Sequence, residues 1–179
     1  MFAKVIFSGS GGQGIQLASK VFCQACVEEN LNISLIPSYG AEMRGGNTTC
    51  RMVVSDSIIA SPLFDEATHI LVLTDLAYQS FKTSLMEKGI LVYDEKVSAE
   101  KPAYKIQMVK IRAIHLADKE INNLQLLNSV ALGAFIKSTK LISLDSAEKA
   151  IKKIIGAKKK DLFEANMEAL KLGFQKGIA

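Results

Sequence analysis

The sequence predicts an α/β fold of three layers, α/β/α: one domain over residues 1–179, with a mainly parallel or mixed sheet covered by helices on both faces. Three observations predict it. Short apolar runs of strand length alternate with segments of helical periodicity, the pattern of a sheet buried between helices. A glycine-rich turn joins the first such run to the first helix. The 179 residues are 49% hydrophobic and 22% charged, enough for one core, and they contain no internal repeat, low-complexity tract or evident linker.

The elements follow in chain order. Ala3 to Ser8 is a compact apolar run, and Gly9 to Gly14 is the turn after it. From Ile15 to Glu29 the periodicity is helical: Gln16, Lys20, Gln24 and Glu28 form a polar stripe on an otherwise apolar segment, as expected of a helix with one solvated edge. Asn32 to Pro37 reads as a second strand. Thr48 to Asp56 alternates, with Cys50, Met52 and Val54 on one face, which suits a strand near a sheet edge. Ile70 to Thr74 is a buried strand. Asp75 is expected to cap a helix from Leu76 to Lys88 that Gly89 stops, and Ile90 to Tyr93 returns as a strand. Lys105 to Ile111 is one more candidate strand. The remainder is helical: Asn123 to Thr139 is largely apolar, and Asp145-x-x-Glu148 and Asp161-x-x-Glu164 have capping-box character. The final helix carries Phe163, Met167, Leu170 and Phe174 on one face.

Composition excludes several classes of function. No apolar run approaches the roughly 20 residues of a membrane span. Met1-Phe2-Ala3-Lys4 leads straight into a strand-like run without a signal peptide's apolar region, so a cytoplasmic location is expected. The net charge of +4 is modest and Trp is absent, unlike a nucleic-acid-binding surface. The basic cluster Lys152, Lys153, Lys158, Lys159 and Lys160 reads as a solvated helix end and loop. Cys23, Cys26 and Cys50 are an odd set and are expected to be buried thiols. Three cysteines cannot supply the four thiolates of a usual iron–sulfur cluster. His69 and His115 are isolated from other metal-ligand types, so no metal site is expected.

Gly9-Ser10-Gly11-Gly12-Gln13-Gly14 has the spacing G-x-G-x-x-G between strand and helix. Glycines there permit a tight turn and close backbone approach, and a helix N-terminus offers free N–H groups to a phosphate. A dinucleotide site also wants an acid after the second strand, for the ribose hydroxyls. Pro37-Ser38-Tyr39 stands there instead, so NAD or FAD is disfavoured. A phosphate-type ligand, a cofactor-facing backbone loop, and simple tight packing against a neighbour remain open. The second motif is Tyr39-Gly40-Ala41-Glu42-Met43-Arg44-Gly45-Gly46. It is either a surface turn with a local Glu42–Arg44 pair, or a loop whose Arg44 reaches a phosphate or a partner's carboxylate. Asp75 and Asp94 end strand runs and are expected at the ligand edge of the sheet. Asn128 and Asn166 lie in helical patterns where Asn is a poor former, so each is expected to make a specific hydrogen bond: a structural one for Asn166, an undecided one for Asn128.

The two glycine motifs together resemble the gamma subunit of 2-oxoacid:ferredoxin oxidoreductases. Ile58 to Pro62, Asn128 to Gly133 and Glu164 to Gly173 extend the likeness over nearly the whole chain, and Ala-Glu-Met-Arg-Gly-Gly is most similar to the 2-oxoglutarate or branched-chain type. The resemblance implies an α/β/α gamma domain in a complex of alpha, beta and delta subunits. Such a complex decarboxylates a 2-oxoacid on thiamine diphosphate, passes electrons through iron–sulfur clusters to ferredoxin, and releases an acyl-CoA. It implies for this chain no catalytic residue and no resident cofactor. Gly9, Ser10, Gly11, Gly12, Gln13 and Gly14 would face coenzyme A or another phosphate group. Tyr39, Glu42, Arg44, Gly45 and Gly46 would form an interface or ligand loop, with Asn128 a further candidate.

Overall fold

The computed structural model describes residues 1–39, 46–156 and 160–179. Six strands form one sheet: β1 (Phe2–Ser10), β2 (Asn32–Tyr39), β3 (Asn47–Ser55), β4 (Ala67–Val72), β5 (Leu85–Asp94) and β6 (Gln107–Ile111). Their order is β2-β3-β1-β4-β5-β6. β1, β4, β5 and β6 run parallel, while β3 is antiparallel to both of its neighbours. The sheet is therefore mixed.

Among the described residues six α-helices accompany it: α1 (Ile15–Glu28), α2 (Asp75–Phe81), the single turn α3 (Ala113–His115), α4 (Leu127–Thr139), α5 (Leu144–Ile154) and α6 (Lys160–Lys176). The two layers are unequal. Val5, Phe7, Met52, Val54, Leu71 and Val92 join α1, α3, α4, α5 and α6 in one large core, centred on Phe135, which meets Phe7 and Phe22 edge-to-face while those two rings are tilted to one another. Ile6, Val53, Ile70, Val72, Leu91 and Tyr93 point the other way, into a smaller core covered by α2 and loops. The alternation along each strand is the period of two that a sheet with both faces covered requires.

Several expectations need correction. The helix expected over 76–88 stops at Phe81, and the chain is already extended from Leu85. Gly89 ends no helix; it lies inside β5, where a Cβ would come within 2.9 Å of the Thr68 carbonyl. Lys88 beside it has φ 65°, and the β4–β5 register shifts between Ala67 and His69. The cap of α2 is Thr74, whose side chain accepts from Ala77 N, not Asp75. The cap of α5 is Ser143, which accepts from Ser146 N, so Asp145 belongs to the first turn. Thr and Ser hydroxyls reach the third N–H when their own backbone is extended, as here at ψ 156° and 157°. Asp161 likewise lies in the first turn of α6.

The α4–α6 pair is the closest helix crossing. A Cβ on Gly133 would lie 2.1 Å from Leu170 O, and one on Gly173 would lie 2.0 Å from Val130 O, so the two backbones touch. Ser129 Oγ donates to Asn166 Oδ1 at 2.6 Å across the crossing, and Asn166 Nδ2 donates to Leu162 O. This is the structural role expected of Asn166, and it explains why Asn128–Gly133 and Glu164–Gly173 carry a recognisable pattern: they are the two halves of one notch.

Candidate functional site

The glycine turn leaves the carboxyl end of β1 and ends at the first turn of α1. Gln13 N donates to Ser10 O at 3.2 Å, and Ser10 N donates to Gln13 Oε1 at 2.7 Å, so Gln13 braces the turn from inside. Gly12 has φ 92° and Gly14, the N-cap of α1, has φ 73°, a left-handed conformation that costs other residues roughly 1–2 kcal/mol. No side chain caps α1 and its first turn holds no acid, which leaves its leading N–H groups and positive end uncompensated by a side chain. Around a Cβ on Gly12 no described residue lies within 4 Å. Ser10, Gly12, Gly14, Ile15, Gln16 and Thr48 line an open depression of about 250 Å³ here.

The sheet brings the second glycine motif to the same place. β1 and β3 pair from Phe2↔Ser55 to Ser10↔Asn47, and Gly11 N continues the ladder by donating to Gly46 O at 3.2 Å. Gly40, Ala41, Glu42, Met43, Arg44 and Gly45 lie outside the described residues; Tyr39 ends β2 and Gly46 precedes β3 at the mouth of that loop. Asn47 Nδ2 donates to Ser80 Oγ on α2 at 3.1 Å, which ties the loop's exit to the opposite helix layer. The turn after β1 leads to α1 in the larger core and that after β4 leads to α2 in the smaller one. Such a divergence between neighbouring parallel strands opens the crevice where α/β folds hold ligands. Sequence reasoning did not single out Asn47 and Thr48; their only local signal was their position after Gly45-Gly46.

Strand order also bears on the dinucleotide question. β1 and β2 point the same way but β3 lies between them. The end of β2 is thus two strand spacings from β1, roughly 10 Å rather than about 5 Å. A ribose held beside β1 would find no neighbouring parallel strand on that side.

Asn128, at the start of α4, is 2% exposed and packs against the turn: its Cβ and Cγ lie 2.8 Å from where a Gly14 Cβ would stand. Among the described residues its buried Oδ1 has no hydrogen-bond partner. The two aspartates expected at the ligand edge both serve the fold. Asp75 Oδ1 accepts from Ser98 N at 2.6 Å. Asp94 is fully buried and accepts from the N–H groups of Lys96 and Ile114; burial pushes its carboxyl above the usual range, with these bonds opposing.

The three thiols are buried and unpaired. Burial, with nearby Cys50 adding, pushes Cys23 up to about 12, and the Cys26 and Cys50 thiols also rise. They are inert protonated thiols, the reverse of thiolate ligands or redox centres. His69 Nδ1 sits 2.7 Å from Thr68 Oγ1, and burial lowers its pKa to about 4. Among the described residues no three His, Cys, Asp or Glu side chains gather as a metal site, and no helix is long and apolar enough to cross a membrane.

Comparison with known proteins agrees with this architecture. The family described as pyruvate ferredoxin/flavodoxin oxidoreductase matches residues 4–176. The 2-oxoglutarate synthase subunit KorC of Methanocaldococcus jannaschii is 33% identical over 98% of this chain and 94% of its own. The pyruvate synthase subunit PorC of Thermotoga maritima is 27% identical over 97% and 94%. The crystal structure of the gamma subunit of a keto/oxoacid ferredoxin oxidoreductase from Geobacter sulfurreducens superposes with a TM-score of 0.82 at 27% identity, covering 98% of this chain and 96% of that one. Family, fold and length thus coincide: the chain belongs to the pyruvate ferredoxin/flavodoxin oxidoreductase family, as a gamma subunit of the 2-oxoacid:ferredoxin type.

Proposed function

We propose that this chain serves a 2-oxoglutarate:ferredoxin oxidoreductase, assembled with alpha, beta and delta subunits that carry thiamine diphosphate and the iron–sulfur clusters, and that its glycine edge faces coenzyme A. The observation that carries the proposal is the open space over Gly12 in front of an uncapped helix N-terminus. Backbone N–H groups at Gly12, Gly14 and the first turn of α1 suit the phosphates of such a ligand, and no nearby acid of the turn opposes a 3′-phosphate. Coenzyme A would supply the thiol that accepts the acyl group; this chain's part is to hold the phosphate end. KorC as a full-length relative supports 2-oxoglutarate as substrate. Inert thiols suit a subunit that takes no part in electron transfer.

Three experiments test this. In the assembled complex, Gly12→Asp puts a carboxylate into the cradle and should raise the KM for coenzyme A several-fold, with the KM for the 2-oxoacid little changed. An unmoved coenzyme A constant in an intact complex rejects the phosphate role. A panel of 2-oxoacids should give the highest kcat/KM with 2-oxoglutarate; a preference for pyruvate or a branched-chain acid rejects that assignment alone. The loop from Tyr39 through Glu42, Arg44, Gly45 and Gly46 would face a partner subunit, supported by the contact of Gly46 with the turn. Arg44→Ala should then weaken co-purification of the partners while leaving the chain's Tm unchanged.

A further inference from the structure

β1 alternates the direction of its backbone groups. Lys4 N donates to Thr68 Oγ1 and Ser8 O accepts from Leu73 N, whereas Gly11 N donates to Gly46 O beside β3. Even-numbered residues of β1 thus face β4 and odd-numbered ones face β3. Ser10, the last residue of β1, accordingly aims its N–H toward the carboxyl end of β4. There it donates to Gln13 Oε1 at 2.7 Å. The Gln13 carboxamide therefore stands in the crevice between the turn after β1 and the turn after β4. The open depression lies on the other side of the glycine turn, toward Thr48 of β3, and Gln13 does not line it.

The motif makes room for this side chain. Gly9 is not left-handed, unlike Gly12 and Gly14, yet a Cβ on Gly9 would lie 2.5 Å from Gln13 Oε1. The first glycine thus admits the carboxamide. Because only the amide oxygen can accept from Ser10 N, the outer atom is Nε2. Among the described residues Nε2 has no partner, and it is not among the sealed polar atoms, so its N–H groups look outward. A second carboxamide reaches the turn from the same side. α4 lies against β5 and β6 as well as α1, and Asn128, 2% exposed, brings its Nδ2 within 3.1 Å of where a Gly14 Cβ would stand. Its sealed Oδ1 is out of a ligand's reach, and among the described residues Nδ2 also has no partner. This side of the turn is uncharged. Ser10 N and Gln13 N are taken by Gln13 Oε1 and Ser10 O, and Gly9 to Gly14 contains no Lys or Arg. A phosphate would find neither counter-charge nor free backbone N–H there, whereas a neutral carbonyl needs only the amide donor.

We propose that Gln13 Nε2 donates to an amide carbonyl in the pantetheine arm of coenzyme A, so that the glycine turn holds the phosphates on its β3 side and the arm on its β4 side. This contact rests on coenzyme A being the ligand of the turn. Coenzyme A has both kinds of group, phosphates at one end and secondary amides between them and the thiol. The arm crosses over Gly12, where a Cβ would meet no described residue within 4 Å.

The test uses the assembled complex and two ligands: coenzyme A, and adenosine 3′-phosphate 5′-diphosphate, which carries every phosphate of coenzyme A without the amide arm. Gln13→Glu keeps an oxygen for Ser10 N, so the turn stays braced, but it loses the donor. It should raise the KM for coenzyme A about tenfold, as loss of one neutral hydrogen bond does. The Ki of the fragment and the KM for the 2-oxoacid should not move. Gly9→Ala displaces the same carboxamide without adding charge; it should give the same split, and should add little once Gln13→Glu is present. A coenzyme A constant unmoved in both variants overturns the proposal, leaving Gln13 a brace of the turn alone. A parallel rise in the fragment's Ki overturns it equally, because the donor would then face a phosphate. Gly12→Asp should raise both constants and keeps the two failures apart. If it acts and Gln13→Glu does not, the arm contact alone is wrong. If neither acts, or if the fragment does not inhibit the wild-type complex, the coenzyme A reading falls and the contact with it.

Discussion

Gly173→Ala tests whether the α4–α6 notch sets the position of α4 and, through Asn128, of the glycine turn. The new Cβ would stand 2.0 Å from Val130 O and 2.7 Å from Val130 C, where ordinary contact begins at 3.4 Å. Both obstacles are backbone, so no rotamer relieves them. The helices must part by about 1.4 Å, and gaps of this order forfeit about half of each dispersion contact they open. Overpacking of this kind costs roughly 1–3 kcal/mol, more when backbone must move. Against it, replacing Gly by Ala inside a helix gains about 1 kcal/mol of propensity. The clash wins, with a net loss of about 1–3 kcal/mol, because the Ser129–Asn166 bond across the crossing, worth about 0.5–1.5 kcal/mol, stretches as well. For a domain of this size that corresponds to roughly a 2–12 °C fall in Tm. Calorimetry or circular dichroism on Gly173→Ala, with the exposed Gln175→Ala on the same helix as control, measures it. An unchanged or raised Tm would refute the reasoning, since it would mean the helices do not touch at Gly173.

Gly14→Ala should cost more than Gly12→Ala in Tm, because both pay left-handed strain but only Gly14 also meets Asn128 at 2.8 Å; equal losses would show that Asn128 does not press on the turn. Thiol titration of the native chain should find Cys23, Cys26 and Cys50 unreactive at pH 8 and all three reactive after denaturation, as their burial and raised pKa values demand. His69 has a folded pKa of about 4 against 6.5 when unfolded. The unfolded chain therefore binds the extra proton first, and the His69 contribution is fully present above about pH 6.5 and lost as pH falls toward 4, by up to about 3 kcal/mol. His69→Gln should flatten the stability-versus-pH curve in that window, and an unaltered slope would show that the ring is not desolvated.

Local chemistry was legible in the sequence. The β1–turn–α1 unit follows from glycine spacing between an apolar run and a 3.6-residue period, and the polar stripe of α1 stands where the period puts it. Asn166 was legible as a residue needing a partner, because Asn inside a helix is costly without one. The same local reasoning failed at residues 82–89. Propensity and the Gly89 stop signal favour continued helix there, but pairing with β4 and the close approach of Thr68 to Gly89 select a bulged strand. The candidate site divides the same way. Each glycine motif is visible alone, yet nothing local says that β3 inserts between β1 and β2, since strand order is set by which apolar faces bury one another across long sequence separations. That insertion places Gly46 on Gly11, disfavours a dinucleotide ribose, and leaves β2 as the terminal strand of the sheet. The position of Asn128 against Gly14, 114 residues apart in sequence, was likewise decided only by the tertiary packing of α4 on α6, because a contact between backbones at two glycines carries no side-chain signal to read.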